Sequence, residues 1–488
     1  MNTDDSIIQL PPIESLPRQT YPVKVLQFGT GNFLRGFADW MIQQANNTVG
    51  LNMGVAVVQS MGKDNLLARQ QGRYTVIERS YRAGNVVSVN HDVHVIQRWH
   101  HASTNWQAVV EEACQPGLQF ILSNTTEAGI EFKYEPFSET DCPTTFPGKL
   151  AYLLYKRAQT FPDVKIAVIP CELIERNGEV LRDVVWQYAN AWNLGTTFAT
   201  YLRESVSFCN TLVDRIVPGF PAEPEPFWHA LGFQDHLLTL CEPYHLWVLE
   251  APPWVQAALP LPAARLNVVF TDNLEPYRVR KVRILNGAHS ILAPVGYLAG
   301  LTTVQEAMKH PVVGRFLSTA LEKEIVPFVP GSAEEITCYW NEIAARFMNP
   351  AIRHELIAIT LNSIAKYRVR LVPSVLAHIR HQQFVPERLA FAFAALVFFY
   401  RGWKSGEPIP MKDDPAVIRY FQERWMATRY TPESIRALVQ DVLGKKEWWG
   451  LELASQTHFS ERVAYYLYQI DQLGVLDVLR ELNEDSML

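Results

Sequence analysis

The sequence predicts an α/β fold in which a parallel, doubly wound N-terminal domain with an antiparallel insertion precedes a mostly α-helical C-terminal domain. Three observations carry that prediction. Short β-rich runs alternate with helical patterns through the first half. Several of these runs are continuous in apolar residues, as strands covered on both faces are. Past Pro276 the β-like runs stop and long helical patterns take over, several of them beginning near a proline, which suits a first helical turn.

In chain order, strands are expected over 23–28, 54–59, 74–78, 86–89, 93–99, 118–124, 165–170 and 267–271. The runs VKVLQF, LQFILS and KIAVIP read as central strands of a parallel sheet. Helices over 33–46, 106–114 and 180–192 lie between them. The segment 73–99 breaks the alternation with three β-like runs and no helix, which reads as an antiparallel insertion. Four prolines within 218–226 indicate a surface loop. Helices are then expected over 304–308, 313–325, 334–346, 352–361, 386–400, 415–427, 432–443 and 461–473. The domain boundary falls near 275, giving units 1–275 and 276–488.

Composition bounds the function. At about 150 residues per domain, 488 residues make roughly three units or two large ones. A 48% hydrophobic and 19% charged chain is globular rather than disordered. A net charge of -6 gives no global electrostatic case for nucleic acid. Six dispersed cysteines without a C-x-x-C pair fit a reduced, cytoplasmic protein. Residues 1–20 do not read as a signal peptide. The longest apolar run, 389–400, is shorter than the about 20 residues that a membrane-spanning helix needs, so a buried core helix is expected and no membrane partner. No internal repeat is evident.

The first strand runs into Gly29-Thr30-Gly31-Asn32-Phe33-Leu34-Arg35-Gly36. Strand, G-x-G and helix is the geometry that cradles a pyrophosphate: glycines allow the tight turn and close backbone approach, and the helix start offers N–H donors. Leu34 occupies the place of the third glycine of that fingerprint, so the motif alone also fits a plain glycine turn. The second strand ends in Gln59, with Lys63 and Asp64 after it. Gln59 suits a ribose hydroxyl and Lys63 a 2′-phosphate, so spacing leaves NAD and NADP both open.

The richest segment is Glu275 to Ser290, with four cations, Arg278, Arg280, Lys281 and Arg283, within six residues. On an α-helix Asn286 and His289 stand about 60° apart and Lys281 and His289 about 80° apart, so each pair shares a face. Lys281 and Asn286 stand about 140° apart and converge only around a substrate or over an irregular turn. Reduction of a ketone needs a proton donor beside the carbonyl oxygen and donors for the developing alkoxide. A lysine among cations, an Asn amide and an orienting His supply those roles, and the arginines suit a carboxylate. The plain alternative is a solvated basic face with His289 in the core. Asp214 beside Arg215 fits either a substrate hydroxyl or an internal salt bridge. Lys366 and Arg370 share a helix face and read either as solvated or as a carboxylate clamp. Neither His378/His381 nor Cys171 has partners at a metal-ligand or nucleophile spacing.

The glycine loop through Phe37, the stretch Val213-Asp214-Arg215-Ile216 and the Lys281, Asn286, His289 set together resemble the mannitol dehydrogenase family of polyol-specific long-chain dehydrogenases. Within it, Ser123 to Ile130, Ile169 to Ile174, Asn286 to His289 and Ala365 to Arg368 are similar to the tagaturonate reductases (altronate oxidoreductases). The resemblance implies a Rossmann-type N-terminal domain, a helical substrate-binding and catalytic domain, NAD, and no metal. It implies Lys281 as general acid/base, with Asn286 and His289 as companions. It also implies a cofactor loop of Gly29, Thr30, Gly31, Asn32 and Phe33, with Gln59, Asn124 and Glu127 toward the cofactor. Arg278, Asp214, Lys366 and Arg370 become the candidate substrate contacts. Two departures matter. The mannitol enzymes carry Cys-Asp-Asn where this chain has Cys171-Glu172-Leu173, and an acid where it has Arg278. Both move the expected substrate from a neutral polyol toward a sugar acid. The expectation is a reversible NADH-dependent reduction of a keto-uronate, D-tagaturonate to D-altronate. Its rivals are fructuronate reductase, mannitol dehydrogenase and a non-catalytic nucleotide-binding protein. The expected partner is a small anionic molecule, and the chain a monomer or small homo-oligomer.

Overall fold

The computed structural model describes residues 10–60, 62, 65–82, 85–125, 129–351, 353–382, 384–404 and 406–484. The chain divides between Leu274 and Glu275 into two compact units.

The first unit carries β1 (Val23–Phe28), β2 (Gly54–Gln59), β3 (Tyr74–Arg82), β4 (Asn85–Val93), β5 (Ile96–His101), β6 (Phe120–Ser123), β7 (Ile166–Pro170), β8 (Val206–Phe208), β9 (Asn210–Asp214), β10 (Thr239–Cys241), β11 (Leu246–Glu250) and β12 (Val268–Thr271). Six of them form one all-parallel sheet in the order β5-β2-β1-β6-β7-β8. Renumbered within the sheet this is 3-2-1-4-5-6, the doubly wound order whose direction reverses between β1 and β6. Both faces of the sheet are covered. Val25, Val55 and Val57 enter one core, while Leu26, Phe28, Ala56 and Val58 enter the other. That two-sided burial is why these runs lack polar alternation.

The insertion differs from expectation in one strand. β3 and β4 do pair antiparallel. The third run, however, becomes β5 and pairs parallel with β2 at the edge of the main sheet. Val93, Val95 and Ile96 are buried whereas residues 85–90 are exposed, so the chain returns to the core at the end of the hairpin. The place of a third strand beside β3 is taken by β10, in parallel. A separate sheet joins β9, β11 and β12. The proline-rich segment is a loop through Pro224, and Pro226 sits in the first turn of the helix Glu225–Leu231.

The second unit is mostly helical. At its centre lies Glu387–Phe399, with every residue from Arg388 to Phe399 buried. The long apolar run is thus a core helix, and among the described residues no helix is long and apolar enough to cross a membrane. Trp340, Phe316, Phe421, Trp449 and Leu467 belong to the same core. The helix expected over 352–361 shrinks to Leu356–Ile359. Asn362 then takes a left-handed φ of 52° and opens a separate helix, Ser363–Arg370. That helix carries both Lys366 and Arg370.

Candidate active site

The glycine loop leaves β1 with a conformation that only glycine adopts without strain, since Gly29 has φ +125°. A Cβ there would stand 3.2 Å from Leu34 Cδ1 and 3.4 Å from the Asn124 carbonyl. The loop therefore lies against the end of β6, at the reversal of strand order where doubly wound sheets bind ligands. Leu34 is buried beneath the loop and fills the space that a third glycine would leave. A Cβ on Gly31 would meet nothing within 4 Å, so this side is open to a bulky group. A helical path follows at once, as Asn32–Leu34, a π-helical stretch Arg35–Asp39, and Trp40–Val49.

Buried polar groups brace the loop. Gln27 Nε2 donates to the Gly29 carbonyl at 3.1 Å and to Asp39 Oδ2 at 3.3 Å. Arg35 donates to the Thr30 carbonyl at 2.7 Å, to Thr239 Oγ1 at 3.3 Å, and to Asn32 Oδ1. The Asn32 side chain is thus engaged within the protein, while its backbone N–H lies at the helix start. Phe33 stacks on Phe37. Burial pushes the Asp39 carboxyl up to about 7, against the bonds from Gln27 and Tyr74 and the charge of Arg35. Beyond Thr30, a cavity of about 110 Å³ is lined by Val57, Gln59, Leu67, Trp99 and His101.

Next to the loop, the ends of β6 and β7 are tied together. Asn124 donates to the Cys171 carbonyl at 2.7 Å. Glu172 accepts from the Thr125 N–H at 2.8 Å and from Ser123 Oγ at 3.1 Å. Burial raises the Glu172 carboxyl while these donors hold it down. Burial likewise pushes the Cys171 thiol far up, as suits a structural cysteine. Glu127 lies outside the described residues, as do Lys63 and Asp64. Asp214, on β9, is buried, but Arg215 forms its ion pair with Glu78 and lies 4.0 Å above the Trp40 ring.

In the second unit, the helix Glu275–Arg280 gives way to a π-helical stretch, Lys281–Asn286, before Gly287–Leu298. This resolves the angular conflict in the sequence. Bonds from i to i+5 lengthen the turn, so residues five apart come onto one face, and Lys281 and Asn286 are such a pair. Lys281 and His289 are 7% and 9% exposed. His289 stacks on Phe347 at 4.3 Å, meets the edge of His354 at 4.8 Å, and its Nε2 has no hydrogen-bond partner among the described residues. Burial first, then His354, Arg370, Arg346 and Lys366, hold its imidazole well below the usual range, so it is neutral at pH 7.

The cations sort into two groups. Arg278 forks Glu275 through two bonds of 2.7 Å, and Arg280 pairs with Glu335. Arg283 donates to the Phe328 carbonyl at 3.0 Å. A substrate carboxylate at Arg278 would therefore compete with Glu275. Arg370 instead donates to Ser290 Oγ at 3.1 Å and to the Asn286 carbonyl at 3.4 Å, directly on the helix of the candidate catalytic set. Lys366 donates to the Ile359 carbonyl at 2.8 Å, and its charge reaches both His289 and His354. Sequence reasoning missed His354, Arg35 and Glu172. Arg35 and Glu172 stood inside quoted motifs, but nothing in the spacing marked His354.

Two family descriptions, Mannitol dehydrogenase Rossmann domain and Mannitol dehydrogenase C-terminal domain, match residues 23–263 and 273–471. The chain belongs to the mannitol dehydrogenase family. Among curated relatives, altronate oxidoreductase of Bacillus subtilis (strain 168) is 41% identical, covering 94% of this chain and 95% of its own. That of Cronobacter sakazakii is 38% identical, covering 94% and 96%. The fold matches that of two solved dehydrogenases. D-sorbitol dehydrogenase in substrate-free form has a TM-score of 0.79 at 21% identity, covering 96% of this chain and 100% of that one. Mannitol 2-dehydrogenase of Pseudomonas fluorescens, solved with NAD and D-mannitol, has a TM-score of 0.74 at 21% identity and 95% of each chain.

Proposed function

We propose that the chain is an NADH-dependent reductase of a keto-uronate, converting D-tagaturonate to D-altronate reversibly. The single observation that carries the chemistry is the π-helical turn that brings Lys281 and Asn286 onto one face, one turn before His289. The names of the relatives, altronate oxidoreductases over most of both chains, support the substrate. In this reading residues 1–275 bind the dinucleotide and residues 276–488 bind the sugar acid.

The residues present fit a dinucleotide. Gly29 permits the turn, the space above Gly31 admits a pyrophosphate, and the Asn32 and Phe33 N–H groups lie in the first turn of the helix, with Arg35 holding the Thr30 carbonyl. Thr30 and Gln59 line the cavity at the end of β2 where a ribose belongs. Asn124, just after β6, is the candidate for the nicotinamide end, and Glu127, the other, lies outside the described residues. A bound nicotinamide would supply the hydride that becomes the new C–H bond at the ketone carbon. Lys281 gives a proton to the carbonyl oxygen, and the Asn286 amide stabilises the charge that develops there. Neutral His289 turns its Nε2, which has no partner among the described residues, to a substrate hydroxyl. Lys366 and Arg370, with Arg278, recognise the carboxylate.

The test is a panel of tagaturonate, fructuronate and fructose with NADH. A charge-assisted bond to a carboxylate is worth roughly 1.5–3 kcal/mol, so the keto-uronate should beat fructose at least about tenfold in kcat/KM. Equal efficiency with fructose would make mannitol dehydrogenase the better reading. Arg278→Ala should shrink that advantage less than Lys366→Ala, because Arg278 is already forked by Glu275. The cofactor is checked separately. Gln59 suits a ribose hydroxyl, and NADH should be preferred to NADPH in kcat/KM. Equal or better use of NADPH would mean that Lys63 or a neighbour reads a 2′-phosphate.

A further inference from the structure

The contact between two imidazoles, His289 and His354, is not used by the reading above. His354 is partly exposed and sits on a fixed backbone. Its carbonyl accepts the Val304 N–H at 2.9 Å, the Leu356 N–H reaches the Thr302 carbonyl at 2.9 Å, and Thr303 bridges Glu355 between them. From that short ladder its ring meets His289 at 4.8 Å and 74°. Phe347 stacks on His289 at 4.3 Å and 23°. The His289 ring is therefore held by two rings, neither of which satisfies its buried Nε2.

The charges that act most strongly on His289 are His354, Arg370, Arg346 and Lys366, all cations or groups that can become cations. His354 is itself held below the usual imidazole range by burial and then by Lys366. Cations and a second imidazole around a buried nitrogen that has no partner among the described residues make a setting in which an anion or a hydroxyl can be held. A neutral imidazole in that setting still carries one N–H donor, and it can offer it to a carboxylate or hydroxyl without first binding a proton.

We propose that His354 is a specificity-determining residue of the same site, donating a hydrogen bond to the anionic sugar beside His289 and Lys366. The inference rests on the reductase reading above. Its closing experiment uses the full chain as wild type, His354→Phe, which keeps a ring against His289 but no N–H, and His354→Gln, which keeps a donor. For each, kcat and KM are measured with tagaturonate and fructose, and the NADH Kd by fluorescence. His354→Phe should raise KM for the keto-uronate about tenfold, more than it lowers kcat, and shrink the acid-to-neutral ratio by a similar factor. His354→Gln should recover much of that loss, and NADH should bind all three alike. If His354→Phe keeps the wild-type ratio, or lowers kcat/KM equally for both sugars, the ring is packing alone and the inference falls. A wild type that prefers no keto-uronate sinks the reductase reading and this inference with it. A selective wild type with an unaltered His354→Phe sinks the inference only.

Discussion

Lys281→Ala should lower kcat by about 10²–10⁴-fold, the usual contribution of a positioned acid or base, while NADH binds as tightly as before. That range corresponds to roughly 3–5 kcal/mol of lost transition-state stabilisation. The expectation follows from position as much as from residue type. Lys281 is buried at the first residue of a π-helical stretch, so its stem is fixed, and the longer turn aligns it with Asn286. KM for the keto-uronate should rise much less than kcat falls, because the proton passes only on the way to the transition state. Lys281→Arg is the informative companion. It keeps a positive charge at the site but cannot release a proton near neutrality, so it should be as slow as the alanine variant. Wild-type kcat in Lys281→Ala would remove Lys281 from the mechanism, and wild-type kcat in Lys281→Arg would leave it only an electrostatic role.

The π-helical turn also marks the limit of what periodicity can read. The residues that do the proposed chemistry stand out in sequence because their types are rare together, and Lys281, Asn286 and His289 could be picked by that alone. Their convergence could not be derived, since at 100° per residue Lys281 and Asn286 point apart. What decides it is the local backbone, and nothing in KVRILN declares i→i+5 bonding. His354 was invisible for a different reason. Its partner lies 65 residues away across packed helices, so no spacing rule connects them.

The fold was legible to the degree that burial is two-sided. β1 and β2 appear at the bounds their apolar runs suggest, because each neighbouring pair of side chains enters a different core. The short strands β8, β9, β10 and β11 were not read, since three to five residues give periodicity little to act on. Even where strands were seen, partners were not. The β5 run pairs equally well on paper with β4 or β2, and the buried Val93, Val95 and Ile96, which carry the chain back to the core, decide for β2. The opposite case is the helix Glu387–Phe399. Its apolar run, 389–400, is too short for a membrane and has one stable place, the middle of a helical core.

Asp39→Asn should change the pH dependence of stability rather than simply lower it. Asp39 is fully buried at the end of the π-helical stretch after the glycine loop, and burial lifts its carboxyl to about 7 from an ordinary 3.8. Between those two values the folded chain keeps a proton that the unfolded chain has released. Stability therefore falls as pH rises through this window, and it levels off above about pH 7. At about 1.4 kcal/mol per unit, the full change is about 4 kcal/mol, an upper figure because water and relaxation soften burial. Asparagine resembles the protonated acid in shape and does not titrate, so the variant lacks this slope. It carries a fixed cost instead. Its carbonyl can still accept from Gln27 and Tyr74, but its NH₂ puts two donors where the protonated acid puts one, at Oδ1, which has no partner among the described residues. A buried donor left unsatisfied costs roughly 1–3 kcal/mol. The variant should thus be the less stable of the two near pH 4.5, gain on wild type steadily, and equal or pass it by pH 8. Urea midpoints of both proteins across that range measure the difference, and its slope is the quantity that counts. A difference that stays flat would mean that Asp39 is already ionised at pH 4.5. Gln27, which holds the Gly29 carbonyl with the same amide, would then be gripped by a full charge at every working pH.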